Sequence, residues 1–313
     1  MLDEGNESNE IIKFRDYLNA VFDKSIRELN LSLSEDKRDE VELITDGSLS
    51  EDEKDKAEPI IDGSISEDER DETDPFIEKL YSEIVKTCNE GKNIPDTIER
   101  ILSENEKSSQ DVFEWLLSHQ NKPENICIRA LFHYYKIGGQ SDKDVYELFL
   151  KAENENIIAK YFVGKCLEEG RNVKKSKTKA INYYEKAEAG NCAAAGYAIG
   201  LHYFKQHKYS KAFTCLKKSA EGNNMMALNL LGLCYQKSFG TGIKYVEAFK
   251  CFLKAAEMGL PESQYRLGKC YEMSEGTKGD LEQALHWYQM AMDNEYQCYN
   301  DFQRVKIAKN QEL

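Results

Sequence analysis

The chain has 313 residues, of which 31% are charged, and its formal net charge is −14. No apolar run approaches the roughly 18 residues of a membrane span, so the composition argues against a membrane protein. The acidic start lacks the apolar core of a secretory leader, and the nine cysteines are therefore expected to be thiols in a reducing compartment. We expect a cytoplasmic protein, and the sequence leaves the nucleus open.

Residues 1–30 are predicted to contain one amphipathic helix, over about residues 9–29. Their apolar side chains recur close to the spacing that places them on one helical face. These side chains are Ile11, Ile12, Phe14, Leu18, Val21, Phe22, Ile26 and Leu29. Such a helix packs either on the rest of the chain or on a partner, and the pattern favours neither.

Residues 31–75 form an acidic segment with 18 acidic and 5 basic side chains and no aromatic residue. A stretch of this composition cannot bury enough surface to offset the loss of chain entropy, so we expect a disordered linker. Residues 76–313 carry 31 acidic and 33 basic side chains and are close to neutral.

Within the acidic segment the sequence Ser-[Leu/Ile]-Ser-Glu-Asp occurs at residues 32–36, 48–52 and 64–68, so that successive copies start 16 residues apart. One interpretation is a duplicated, solvated linker. Another is a row of phosphorylation sites, each adding about 1.5–2 negative charges, because carboxylates follow every serine. A third is a short linear ligand that presents its Leu or Ile in an acidic field. The candidate serines are Ser32, Ser34, Ser48, Ser50, Ser64 and Ser66.

Residues 76–121 are predicted to form three helices. The first starts at Phe76 and ends near Gly91, the second is opened by Pro95 in its first turn, and the third covers about residues 109–119. We expect these helices to cap the N-terminal end of the following domain, because an end repeat must shield the apolar face that a neighbour would otherwise cover.

Residues 122–296 are predicted to form five repeats. The pattern apolar-Gly-x-x-Tyr, with variants, places glycine at positions 164, 200, 232 and 268, and Phe132 takes the equivalent place in the first repeat. Successive positions lie 32, 36, 32 and 36 residues apart. A fixed period in this range predicts a stacked-repeat solenoid.

Each repeat is predicted to be a pair of helices, here called helix A and helix B. In the fourth repeat we expect helix A at about residues 225–236 and helix B at about residues 245–258. The glycines that end helices B are expected to adopt the left-handed conformation that turns the chain into the next repeat. Residues 297–313 are expected to form a closing helix.

The phased L-G-x-x-Y and A-x-x-[WYC]-[YFL]-x-x-[AS] motifs resemble the Sel-one-like repeat, an α/α relative of the tetratricopeptide repeat, over about residues 125–296. Ser238 and Ser274 depart from the family pattern, since they replace its first loop glycine. The resemblance implies an all-α, right-handed α/α solenoid. It extends to the repeat tails of large fungal families that often follow a kinase domain, although this chain shows no kinase motif.

In such a solenoid, helix A is expected to line the concave face. We expect the positions two before, one after and five after the repeat glycine to face outwards. The candidate partner-binding residues are Phe162, Lys165, Ala198, Leu201, Lys205, Leu230, Leu233, Lys237, Arg266 and Lys269. Exposed leucines beside lysines suit an extended peptide with apolar anchors and acidic flanks. The alternative is that these leucines pack on neighbouring helices B.

The same complementarity suggests that residues 31–75 contact this surface within the chain, as an internal ligand whose three copies raise the effective concentration.

The sequence indicates no catalytic residue, cofactor site or metal site. His202 and His207 are five residues apart, so they do not share a helix face as a zinc-binding pair would, and the cysteines occur singly. A near-neutral body beside an acidic region also disfavours nucleic acid. We therefore predict a non-enzymatic adaptor that binds protein or peptide partners. The alternatives are a regulatory or accessory subunit in a kinase signalling pathway and, more distantly, a β-lactamase-like hydrolase.

Overall fold

The computed structural model describes residues 74–139 and 144–311. The helix expected over residues 9–29, the acidic linker up to residue 73 and the six candidate serines lie outside the described residues. Nothing in the structure therefore tests them.

The described residues form fourteen α-helices and one 3₁₀ turn, Ile137–Gly139, and contain no strand. The prediction of an all-α chain is confirmed over these residues. The α-helices are α1 (Pro75–Glu90), α2 (Ile94–Glu104), α3 (Ser109–Ser118), α4 (Pro123–Tyr135), α5 (Val145–Ala152), α6 (Ile157–Glu169), α7 (Lys177–Ala189), α8 (Ala193–Lys205), α9 (Tyr209–Glu221), α10 (Met225–Lys237), α11 (Tyr245–Glu257), α12 (Pro261–Met273), α13 (Leu281–Asp293) and α14 (Tyr299–Gln311). None of these helices is long and apolar enough to cross a bilayer.

The three helices predicted over residues 76–121 are confirmed, and their ends have local causes. The Asp74 carboxylate accepts the Phe76 N–H at 2.8 Å, and Pro75 begins α1. Gly91, at φ 72°, ends the helix in the left-handed conformation. Pro95 lies in the first turn of α2, as predicted.

Helices A (α4, α6, α8, α10 and α12) alternate with helices B (α5, α7, α9, α11 and α13). Each helix A packs against its own helix B, and each helix B packs against the next helix A. The four repeat glycines lie on the side of helix A that faces its own helix B. A Cβ atom at Gly232 would lie 2.6 Å from Cε1 of Phe252, so the glycine permits the close approach.

The expectation that glycines end helices B in the left-handed conformation is wrong at two positions. Gly190 has φ −86° and Gly222 has φ −77°, and the left-handed residues are the next ones, Asn191 and Asn223. These glycines are needed for space instead. A Cβ atom at Gly222 would lie 2.7 Å from the Cβ of Ala193 at the start of α8. Asparagine tolerates the left-handed region, so it takes over the turn.

Ser238 and Ser274 do adopt the conformation of the loop glycine that they replace. Ser238 has φ 65° and Ser274 has φ 58°, both at the end of a helix A. The Ser238 hydroxyl donates to the Thr241 carbonyl at 2.8 Å, which compensates part of the strain.

Helix α1 contacts more repeats than a helix that caps only the first repeat would. It packs against α4 and α8, and it is linked by hydrogen bonds to the starts of α8 and α10. Asn89 Oδ1 accepts the Ala193 N–H at 3.0 Å, which caps α8 in place of Cys192, a residue that makes no side-chain cap of its own. Asn224 Nδ2 donates to the Asn89 carbonyl at 2.9 Å while its Oδ1 caps α10. Helix α1 thus lies across several repeats.

Candidate functional site

The ten residues predicted to bind a partner do not form the exposed apolar surface that was expected. Leu201, Leu230 and Leu233 are only 9%, 5% and 4% exposed, and Phe162 is also buried. The alternative interpretation, in which the leucines pack inside the solenoid, describes their burial correctly. Helix A contacts helices on several sides, so fewer of its positions remain open than the periodicity suggested.

The charged members of the set keep part of their surface exposed. Lys205 and Lys237 are exposed, and Lys165, Arg266 and Lys269 are half-buried. The Lys165 ammonium lies 5.6 Å from the ring centroid of Tyr134, and the Lys269 ammonium lies 5.5 Å from that of Tyr265. Lys165 and Lys269 therefore lie over aromatic rings, and part of each side chain remains accessible to a ligand.

A second row of residues on helix A is more regular than the predicted set. The position three residues before each repeat glycine carries a half-buried side chain in all four repeats. We call this set the aromatic row: Tyr161, Tyr197, Asn229 and Tyr265. The sequence carries a signal for this row, because three of the four positions are tyrosine.

The two ends of the aromatic row are covered by other helices. Tyr161 packs against the hydrophobic core to which Ile84 and Cys88 of α1 belong, and this burial raises the pKa of the Tyr161 hydroxyl. At the other end, the Tyr265 hydroxyl donates to Asp301 of α14 at 3.0 Å. Between them, Ser263 Oγ donates to Asn229 Oδ1 at 3.1 Å, which joins α12 to α10.

Tyr197 lies in the middle of the row, between carboxylates from two other repeats. Burial raises its pKa, and Glu262 of α12 and Glu168 of α6 raise it further. The phenol is therefore neutral at physiological pH and can both donate and accept a hydrogen bond. A half-buried ring with a polar tip is a common anchor for protein partners.

A positive region lies beyond Tyr197 at the end of α8. Burial lowers the pKa of His202, and although Glu168 opposes this, Lys177, Lys208 and Lys205 lower it further. His202 is therefore neutral at physiological pH, in a region where lysines of two repeats converge.

Three cysteines at equivalent positions of helices A are packing residues. Cys166, Cys234 and Cys270 occupy equivalent buried positions, and burial raises the pKa of each thiol to about 12. They are protonated at neutral pH and act as small apolar packing residues. Within residues 74–139 and 144–311 no three His, Cys, Asp or Glu side chains are grouped to hold a metal ion.

The sequence profile of the Sel1 repeat matches the chain in four consecutive segments, residues 157–192, 192–224, 226–260 and 261–296. These segments coincide with the helix pairs from α6 to α13. Residues 157–296 are Sel1 repeats. The pair α4–α5, predicted to be a further repeat, lies before the matched segments.

Three solved structures resemble this chain to different degrees. A Sel1 repeat protein from Oxalobacter formigenes superposes with a TM-score of 0.53 and 23% identity, over 56% of this chain and 75% of that chain. The protective antigen c5321 of uropathogenic Escherichia coli, which displays an SLR fold, gives 0.42 and 21%, over 64% and 52%. Yeast Tom70 gives 0.42 and 16%, over 71% and 45%. Only the first is close enough to support the fold, and no curated protein matches the sequence significantly.

The family limits the kind of function to consider. Sel1 repeats generally mediate protein–protein interaction, and scaffolds of this family are typically non-catalytic.

Proposed function

We propose that this chain is a non-enzymatic scaffold that binds partner peptides on the helix A surface of its Sel1 repeats. The observation that supports the proposal best is the aromatic row, whose four side chains are all half-buried at equivalent positions of successive helices A. The free thiols of all nine cysteines suit the cytoplasm.

The burial of the leucines changes how the predicted set would act. Leu201, Leu230 and Leu233 hold helices A in place, and the ligand meets the aromatic row and the cations Lys165, Lys205, Lys237, Arg266 and Lys269. This surface favours a peptide with carboxylates and hydrogen-bonding groups over one with large apolar anchors.

A matched pair of charge reversals tests the proposal. Lys269→Glu removes a cation from the Tyr265 ring, and Lys306→Glu removes one from the Phe302 ring of α14, where the separation is 6.0 Å. We expect proteins captured by the full-length chain to be lost with Lys269→Glu and with Tyr197→Ala, but kept with Lys306→Glu and with Tyr299→Ala on α14. Thermal unfolding confirms that each variant is folded. Equal capture by all variants would refute the proposal.

The acidic segment would act on the same surface as an intramolecular competitor. This proposal is based on the match between the carboxylates of the acidic segment and the cations of helix A. Deleting residues 31–73 should then raise the affinity for a captured partner, and phosphorylation of the six candidate serines should lower it. Unchanged affinity in both cases would assign the segment to a passive linker.

A further inference from the structure

The loops between helix A and helix B of successive Sel1 repeats lie along one edge of the solenoid. They cover residues 170–176, 206–208, 238–244 and 274–280, and we call them the loop edge. A Cβ atom at Gly240 would overlap the Tyr209 carbonyl, and one at Gly276 would overlap the Tyr245 carbonyl. The loops that contain Gly240 and Gly276 therefore each rest on the start of the preceding helix B. These contacts join the third, fourth and fifth repeats along the loop edge.

One end of the loop edge exposes large apolar side chains. Ile243, Val246 and Met273 are 56%, 53% and 52% exposed, and Tyr245 is exposed beside them. We call these four residues the apolar patch. Ile243 lies in the loop of residues 238–244, Tyr245 and Val246 begin α11, and Met273 ends α12. The loop that follows Met273 packs through Gly276 on the Tyr245 carbonyl, so the four side chains belong to one part of the edge.

The neighbouring part of the loop edge is basic. Lys174, Lys175 and Lys177 belong to the second repeat, and Lys208 and Lys211 to the third; all five are exposed, and we call them the basic patch. Helix α7 begins at Lys177 and packs against α8, which ends at Lys205 just before Lys208, so the two groups lie at the same end of neighbouring helices. Lys174, Lys175, Lys177 and Lys208 form no ion pair with any residue that the structure describes.

The two patches are continuous. Lys208 and Lys211 flank Tyr209, whose carbonyl contacts the Gly240 loop, and the Tyr209 ring stacks on Phe239 at 4.6 Å between centroids. Ile243 follows three residues after Gly240 in the same loop. A ligand that lies on the basic patch therefore reaches the apolar patch without crossing another element.

We propose that the loop edge is a second interaction surface, which binds an extended peptide carrying aliphatic side chains next to a run of acidic residues. The aliphatic side chains would cover the apolar patch, and the carboxylates would lie on the basic patch and fix the direction of the peptide. Charge complementarity supports this occupant, since the lysines lack carboxylate partners among the described residues. The patches follow one another along the edge, which suits a linear chain better than a membrane plane.

This inference goes beyond the proposed function, because the loop edge shares none of the aromatic row. A negative result in the peptide-binding experiment on the loop edge would therefore not refute the proposed function, and a negative result in the capture experiment would not refute this inference.

Fluorescence anisotropy of a synthetic peptide tests the proposal on the full-length chain. The probe has about 12 residues, leucine and valine in one half and aspartate and glutamate in the other, and spans about 40 Å when extended. We expect Ile243→Asp/Val246→Asp to abolish binding and Lys177→Glu/Lys208→Glu to weaken it about tenfold, with a similar loss in high salt. Ile307→Asp, which changes a residue that is 57% exposed on α14, and Lys217→Glu on α9 should bind the peptide normally.

Two results would overturn the inference. One is no binding of the peptide, or equal binding by the edge variants and the two control variants. The other is sedimentation of the chain with anionic phosphatidylserine vesicles that only the edge variants prevent, without peptide binding. That result would reassign the loop edge to a lipid surface.

Discussion

The close contact between Gly232 and Phe252 predicts the cost of adding a single methyl group. In the Gly232→Ala variant, Cβ would lie 2.6 Å from Cε1 and 2.8 Å from Cδ1 of the Phe252 ring. Carbon atoms prefer about 3.5–4.0 Å, so roughly 1 Å of overlap must be relieved. Phe252 is fully buried, so its ring can move only by displacing other core side chains or by filling existing gaps.

Two opposing terms set the size of the effect. Overpacking a well-packed core costs about 1–3 kcal/mol. Alanine is about 1 kcal/mol more favourable than glycine inside a helix. Because the overlapping ring is fully buried, we take the upper end of the overpacking cost and expect a net loss of about 2 kcal/mol in the free energy of unfolding. In a Phe252→Ala background the Gly232→Ala change should cost little, because the ring that overlaps Cβ is gone. Leucine would not give this relief, since a Cβ atom at Gly200 would also lie 2.8 Å from Cγ of Leu216.

Urea denaturation followed by circular dichroism, run as a double-mutant cycle, measures both quantities. Gly242→Ala is the control, because a Cβ atom there meets nothing within 4 Å and should change stability little. If Gly232→Ala is as stable as the native chain, the glycine is not required for helix approach. If Gly232→Ala costs as much in the Phe252→Ala background as in the native chain, the Phe252 ring is not the cause of the loss.

Three further predictions concern packing, backbone strain and capping. Leu233→Glu should lose about 3 kcal/mol or more and much of its helical signal, because it buries a carboxylate; unchanged thermal unfolding would place Leu233 at the surface. Ser274→Gly should raise the free energy of unfolding by about 0.5–1 kcal/mol in urea denaturation, because glycine adopts the left-handed conformation without strain. Ser238→Gly should gain less, because it also loses the hydrogen bond of the Ser238 hydroxyl. A destabilised Ser274→Gly variant would contradict the left-handed assignment. Asn224→Ala should lower the free energy of unfolding by more than the loss of a simple helix cap, which costs about 1 kcal/mol, because it also removes the bond to Asn89. It should also speed amide exchange in α1. Normal exchange there would mean that Asn224 does not hold α1.

Much of the fold could be predicted from the sequence because its signals are local and repeated. The glycine period and the prolines in first turns indicated most helices to within a residue or two, as at α10 and α11. The left-handed residues after α7 and α9 were missed because Gly190 and Gly222 drew attention to conformation, whereas the structure uses them for close contact.

The candidate site was harder to predict because exposure depends on neighbours that periodicity does not reveal. Leu230 and Leu233 lie at positions that would be open on an isolated helix pair, but they are buried in the stack. The aromatic row was visible as a recurrent tyrosine, yet only the structure shows that all four of its side chains are half-buried and that Tyr265 is bonded to Asp301 of α14. The loop edge was missed because its patches combine residues from different repeats.

The reach of α1 has a consequence for folding. Arrays of helix pairs make mostly short-range contacts, so they have low contact order and fold quickly. Here the Asn89–Ala193 and Asn89–Asn224 hydrogen bonds join residues 104 and 135 positions apart. Closing a loop of that length costs about 4 kcal/mol of chain entropy, which the docked helix must recover. The array should therefore assemble first and α1 should dock last, which also makes α1 the first element to detach when the native chain opens.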